Sequence, residues 1–236
     1  MFRETAELYD VIYSFKDYAA ETAALIGHLE RHRRSPGRRL LDVACGTGHH
    51  LAHLQAHYDV EGLDLDPAML AIARLRLPGV PLHQGDMQAF DLGRRFDAVT
   101  CLFSSIGYVR TLEGLEQTAR TLARHLLPGG VLALEPWLTP ETFRPGTLHA
   151  LFIDQPELKI ARFNRSTVEG RLSVLDFHYL IATSQGIEHR TERHELGLFT
   201  PDEYAGALAG AGLRPVVDPE GLSGRSLLLG LAPPCS

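Results

Sequence analysis

A chain of 236 residues, 44% hydrophobic and 22% charged, can bury one sizeable α/β core with a subdomain, and no Ser/Pro-rich run divides it into independent domains. The formal net charge of -6 argues against a nucleic-acid binder, and no apolar run approaches the ~18 residues that cross a membrane. Three widely spaced cysteines, Cys45, Cys101 and Cys235, suggest neither a disulfide framework nor a zinc knuckle, and residues 1–5 lack a signal-peptide layout, so a cytoplasmic location is the default expectation.

An aromatic cluster, Tyr9, Tyr13, Phe15 and Tyr18, precedes a helix expected over 18–33, whose buried face carries Leu25, Ile26 and Leu29. The cluster suits either a helix packed on a sheet or a lid over a ligand. A basic run from 31 to 39 reads as a solvated helix end. Residues 40–43 form an apolar strand that runs into Ala44-Cys45-Gly46-Thr47-Gly48 and a helix over 49–56. A strand over 59–63 ends at Asp64, and Asp66-Pro67 opens a helix with Leu70, Ala73 and Leu77 as its stripe. A strand at 80–83 leads to Gly85-Asp86-Met87, and another over 96–103 ends in Ser104-Ser105. The helix over 112–127 stops at Pro128-Gly129-Gly130 and hands over to a strand at 131–134. This alternation predicts a Rossmann-like, mostly parallel sheet with helices on both faces.

After Glu135-Pro136-Trp137 the period falls to two. Runs at 160–166, 172–182 and 187–199, joined by turns at Gly170 and Gly186, predict an antiparallel three-stranded insertion. It is placed at 151–199, on the substrate side of a single domain over 1–236. Thr200 and Glu203 form a capping box, and strands at 213–217 and 226–231 are expected to pair as an antiparallel edge.

The glycine pair Gly46 and Gly48 alone is a weak signal, because it also makes a tight turn. A dinucleotide site would place glycine or alanine three residues after Gly48, where this chain has Leu51, which disfavours NAD. Asp64, at the next strand end, can accept both hydroxyls of a ribose. Asp86 can accept an adenine amino group while Met87 packs on the ring. His49, His53 and His57 share a helical face, but no carboxylate or cysteine completes a zinc site, so no metal is expected.

These features, in this order, resemble the class I S-adenosylmethionine-dependent methyltransferases. The resemblance implies S-adenosylmethionine as cofactor, with Ala44 and Gly46 at its methionine portion, Asp64 on the ribose, Asp86 and Met87 on the adenine, and Leu102 or Phe103 beside it. The stretches Leu82-His83-Gln84-Gly85-Asp86-Met87, Phe103-Ser104-Ser105-Ile106-Gly107-Tyr108, Glu135-Pro136-Trp137 and Ser223-Gly224-Arg225 are similar to the N,N-dimethyltransferases of TDP-linked 3-amino sugars, the desosamine and mycaminose type of macrolide antibiotic biosynthesis. The implied reaction is methyl transfer to the sugar amine, twice. Tyr9 and Tyr18 would then close over the cofactor, Trp137, Arg162 and Arg225 would hold the substrate, and Tyr108 or His178 would orient the amine or accept its proton. Leu138 stands where relatives often have a second aromatic, a departure on the acceptor side. N- or O-methylation of another small molecule, and a non-catalytic module that binds S-adenosylmethionine, remain alternatives. A homodimer is a further expectation, since the insertion carries many apolar residues.

Overall fold

The computed structural model describes residues 6–222, 224 and 226–234. A seven-stranded sheet forms the centre. Its parallel part comprises β1 (Arg39–Val43), β2 (Asp59–Asp64), β3 (Leu82–Gln84), β4 (Phe96–Cys101) and β5 (Leu126–Leu134). These strands are rich in Leu and Val, and every residue of β4 is buried, because helices cover both faces. The spatial order is β10-β11-β5-β4-β1-β2-β3, where β10 (Arg214–Asp218) and β11 (Leu227–Leu231) supply the expected antiparallel edge. Chain order reverses between β1 and β4, so the carboxyl ends of these strands flank a topological switch point.

Successive residues of β1 enter different cores. Leu40 packs with Leu25 and Leu29 of α2 (Tyr18–His32), Leu51 and Leu54 of α3 (His49–Leu54) and Leu70 of α4 (Pro67–Arg76). Leu41 and Val43 pack with Leu115, Ala119 and Leu122 of α5 (Leu112–Arg124) and with Tyr204 and Leu208 of α6 (Pro201–Gly210). The Thr200 and Glu203 capping box starts α6, with reciprocal bonds of 3.2 and 2.9 Å, a cap worth about 1 kcal/mol.

Two local expectations change. The helix expected over 112–127 ends at Arg124, and Pro128-Gly129-Gly130 lies inside β5 rather than before it. Its pairing with β4 slips there, from Phe96↔Leu126 to Ala98↔Val131. The carbonyl of Gly129, whose φ is +74°, accepts the N–H groups of Arg34 and Ser35, so the bulge is held by the loop that enters β1.

The insertion contains the three expected strands, β7 (Leu158–Glu169), β8 (Leu172–Thr183) and β9 (Gly186–Gly197), and a fourth, β6 (Leu148–Gln155), on the free edge of β7. Against its inner face packs the N-terminal segment, a 3-10 turn over Ala6–Leu8 and the short helix α1 (Tyr9–Ile12). Leu8 and Ile12 meet Ile160, Phe177, Tyr179 and Ile181 in a third core. This segment closes the space between the two sheets.

Candidate functional site

Among the described residues four non-glycine residues hold positive φ, and three of them stand at the switch-point strand ends: Ala44 (58°), Phe103 (51°) and Ser104 (59°). Such backbone persists only where its surroundings fix it. Beside Ala44, the Cys45 N–H donates to Leu63 O at 3.0 Å. Asp64 accepts the Gly46 N–H at 2.7 Å on Oδ2 and the Asp66 N–H at 2.9 Å on Oδ1. At the end of β4, the Phe103 N–H donates to buried Glu135 at 2.7 Å and the Ser104 hydroxyl donates to Pro136 O at 2.8 Å. The two turns open a cleft between β1 and β4.

That cleft is one end of a cavity of about 590 Å³. Ala44, Gly46, Asp64, Asp86 and Met87 line this end, and Tyr108, Trp137, Phe177 and His194 line the other. Tyr9 and Tyr13 of the N-terminal segment pack with their rings tilted by 49°, 4.7 Å between centroids, along one wall, and Phe103 meets the Tyr13 ring edge-on at 5.1 Å. Burial raises the pKa of the Tyr9, Tyr13 and Tyr108 hydroxyls, which are therefore neutral phenols. Burial also pushes the Asp64 carboxyl up, against the opposing effect of its backbone hydrogen bonds.

Polar contacts pin the roof down. Asp10 accepts the Thr47 hydroxyl at 2.7 Å and pairs with His49 at 3.1 Å and Arg76 at 2.5 Å, while Arg76 also donates to Thr47 O. Burial alone would raise the Asp10 pKa, but the hydrogen bonds from His49, Thr47 and Arg76 hold it well below the usual carboxylate range. Glu7 pairs with Arg190 of β9. His50 pairs with Glu21 at 3.0 Å, and Glu21 takes Lys16 at 2.5 Å, so the histidines at the start of α3 are engaged with carboxylates.

Of the residues singled out from sequence, Tyr9, Ala44, Gly46, Asp64, Asp86, Met87, Phe103, Tyr108 and Trp137 line this one cavity. Four others do not. Leu102, 3% exposed, packs in the core with Leu25 and Leu40, so Phe103 is the one that reaches the cavity. Tyr18 stacks on His49 at 4.4 Å, behind the lining. Arg162 lies under the wall, its guanidinium 5.5 Å from the Tyr13 ring and 5.1 Å from the Phe177 ring, and donates to the Tyr13 hydroxyl at 3.5 Å. His178 is exposed and stacks on His189, because the neighbouring Phe177 and Tyr179 take the inward face of β8. Arg225 lies outside the described residues.

The histidine that reaches Tyr108 is His194. Its Nδ1 is 2.6 Å from the Tyr108 hydroxyl. In β9, Glu192, His194 and Leu196 are buried while Thr191 and Arg193 are exposed, a parity that buried Leu198 extends. That alternation was present in the sequence and could have pointed to His194. At the rim, Glu195 pairs with Arg193 at 3.0 Å and Arg110 at 3.1 Å.

The family model for a methyltransferase domain matches residues 40–130, the stretch from β1 into β5. The dTDP-3-amino-3,6-dideoxy-alpha-D-glucopyranose N,N-dimethyltransferase of Streptomyces fradiae is 46% identical over 97% of this chain and 91% of its own length. The chain belongs to the dTDP-amino-sugar N,N-dimethyltransferase family. Another family relative, the dTDP-4-amino-2,3,4,6-tetradeoxy-D-glucose N,N-dimethyltransferase of Saccharopolyspora spinosa, is 43% identical over 96% of this chain and 92% of its own. The crystal structure of Streptomyces venezuelae DesVI superposes with a TM-score of 0.91 at 40% identity, covering 98% of both chains. An S-adenosylmethionine-bound amino pentose methyltransferase of calicheamicin biosynthesis, from Micromonospora echinaspora, reaches 0.87 at 40% identity over 95% of this chain and 96% of its own.

The enzyme is an S-adenosylmethionine-dependent methyltransferase. The lining fits that cofactor. A Cβ built on Gly46 meets nothing within 4 Å, which leaves its backbone open to the cavity. Asp64 has carboxylate lone pairs beyond those that take backbone N–H groups, and these suit a ribose diol.

Proposed function

We propose that this enzyme methylates the amine of a TDP-linked amino sugar, twice, to a tertiary amine, as a step in antibiotic biosynthesis. One observation supports the reading most: a single cavity joins the acidic strand ends, Asp64 and Asp86, to a chamber walled by Tyr108, Trp137 and Phe177. The first end suits a nucleoside and the second an apolar-faced sugar.

S-adenosylmethionine supplies the electrophilic methyl group. Asp64 accepts its ribose hydroxyls, Asp86 and Met87 hold its adenine, Ala44 and Gly46 flank its methionine portion, and Tyr9 and Phe103 cover it. Trp137, whose indole N–H donates to Ser173 Oγ at 2.8 Å, is a fixed flat wall for the acceptor. Tyr108 orients the amine. Arg162 supports this wall from behind Tyr13 and Phe177. At the mouth, Arg110 and Arg193 are bridged by Glu195, and a diphosphate can take the place of that carboxylate. Together these groups keep a neutral amine oriented and shielded from water.

The homodimer reading is supported by the outer face of the insertion. There the register aligns Leu148, Phe152, Phe163 and Leu180 across β6, β7 and β8, and these are 46 to 78% exposed. Leu180→Arg is expected to convert a dimer into a monomer in sedimentation; a wild type that is already monomeric would remove this reading. A cytoplasmic location follows from the proposed substrates, both of which are intracellular metabolites.

The test of function is incubation with S-adenosylmethionine and TDP-linked 3-amino and 4-amino sugars, read by mass spectrometry. The expected products are the dimethylated sugar nucleotide and S-adenosylhomocysteine. Methylation of other amines or of hydroxyls with none of these sugars accepted would contradict the reading, as would cofactor binding without transfer to any acceptor.

A further inference from the structure

The groups behind Tyr108 form a buried polar chain. The 3-10 helix Ser105–Val109 carries Tyr108 into the cavity, where its hydroxyl meets His194 Nδ1 at 2.6 Å. His194 Nε2 points the other way, 3.6 Å from Oε2 of Glu192. The Tyr179 hydroxyl donates to the same Glu192 oxygen at 3.3 Å. His194 and Glu192 are 2% and 7% exposed, and the edge of Phe177 seals the imidazole at 5.1 Å. A carboxylate 3.6 Å behind Nε2 favours the neutral tautomer that carries its proton there, which would turn the Nδ1 lone pair toward the phenol.

A sugar amine brings a chemical problem that this chain addresses. The first methyl transfer leaves a secondary ammonium, which has no lone pair for a second. We propose that the His194 and Glu192 pair, acting through the Tyr108 hydroxyl, takes that proton inside the cavity and so carries the monomethylated sugar on to the dimethyl product. This rests on the amino-sugar reading above. The N–H bond of the ammonium breaks as its proton moves to the Tyr108 oxygen, and the phenol proton passes to Nδ1. The result is a neutral amine, a neutral phenol and an imidazolium beside Glu192, and the imidazolium returns its proton to water when the site opens to exchange cofactor.

The titratable and charged neighbours keep the His194 ring unprotonated between turnovers. Around His194 and Tyr108 stand Tyr179 from β8, Glu192 on β9, Arg162 from β7, Tyr9 and Tyr13 from the N-terminal segment, and Asp64 at the end of β2. Burial lowers the His194 pKa, and Arg162 adds to this while Glu192 opposes it, so the imidazole is a free base at neutral pH. Burial pushes the Tyr108 phenol well above its ordinary value, which makes it a relay and not a base by itself. His194 is therefore a positioning residue, and Tyr108 the group that touches the amine.

Two measurements test the proposal. In the ligand-free protein, nitrogen NMR of labelled histidine is expected to show His194 as the Nε2–H tautomer; an Nδ1–H tautomer, donating to Tyr108, would overturn it. In turnover at pH 7, His194→Gln is expected to lower the second methyl transfer about 100-fold, release monomethylated sugar, and regain at least about 10-fold as the pH is raised to 9 and free amine arrives from solution. Its affinity for S-adenosylmethionine should stay at the wild-type value. A wild-type product ratio and pH profile in His194→Gln would refute the relay. Should that variant fail to fold, Glu192→Gln decides: about 10-fold slower second transfer supports the relay, and wild-type kinetics overturns it. A wild type that methylates no amino sugar refutes the underlying reading instead, and the NMR result stands apart from that outcome.

Discussion

Asp64→Asn separates the cofactor reading from simple loop bracing. The carboxylate, 8% exposed, accepts backbone N–H groups at 2.7 and 2.9 Å and lines the cavity. Hydrogen bonds to a charged group are worth about 1.5–3 kcal/mol and neutral ones about 1. Replacing the carboxylate by an amide therefore weakens each ribose bond by about 1 kcal/mol, and two such bonds amount to about 30-fold in affinity. The amide nitrogen also meets one backbone donor with a second donor, which adds to the loss. Calorimetric titration with S-adenosylhomocysteine should show Kd at least about 30-fold higher in Asp64→Asn, with the fold intact by circular dichroism. A folded variant with wild-type Kd would refute the reasoning, since Asp64 would then only brace the Gly46 turn.

Three further predictions follow from particular contacts. Arg110→Ala should raise KM for a TDP-linked acceptor about 10-fold and leave the affinity for S-adenosylhomocysteine unchanged, as steady-state kinetics would show. His178→Ala should keep kcat within a factor of about three, whereas Tyr108→Phe should lower it at least about 10-fold. Asp42 is fully buried, with burial raising its pKa to about 6 against the ordinary 3.8, despite the Thr100 hydroxyl it accepts at 2.7 Å. Its folded-state pKa is raised, so its contribution favours the fold at low pH and is lost as pH rises through about 6. Asp42→Asn should therefore gain about 1–1.5 kcal/mol relative to wild type between pH 5 and pH 8 in chemical denaturation. An equal difference at both pH values would refute that assignment.

The parallel half of the fold is legible because each of its signals is local. Strand ends carry Asp64 and Asp86, Asp66-Pro67 caps α4, and the absence of a small residue at Leu51 separates this loop from a dinucleotide cradle. Edge elements are less legible. β6 has mostly exposed side chains, so its sequence shows no alternation, and only its pairing with β7 makes it a strand. Pro128-Gly129-Gly130 reads as a break because local propensity cannot reveal that Arg34 and Ser35, far back in the sequence, bind the bulge.

On the acceptor side, residue type alone misleads. His178 and His194 are equally attractive as histidines, but the pleat turns one to solvent and the other to the cavity. Arg162 does face inward, yet Tyr13 and Phe177 stand between it and the cavity. The strand parity was legible; the layer in front of Arg162 was not, because it comes from the N-terminal segment and from β8.

A crystal structure of the enzyme with S-adenosylhomocysteine and a TDP-linked amino sugar tests the central claim most directly. The account predicts the ribose of the cofactor on Asp64, its adenine between Asp86 and Met87, the sugar amine within hydrogen-bond reach of the Tyr108 hydroxyl, and the diphosphate at Arg110 and Arg193. A cofactor in that place with the sugar amine bound away from Tyr108 and His194, or a ribose that does not touch Asp64, would contradict it.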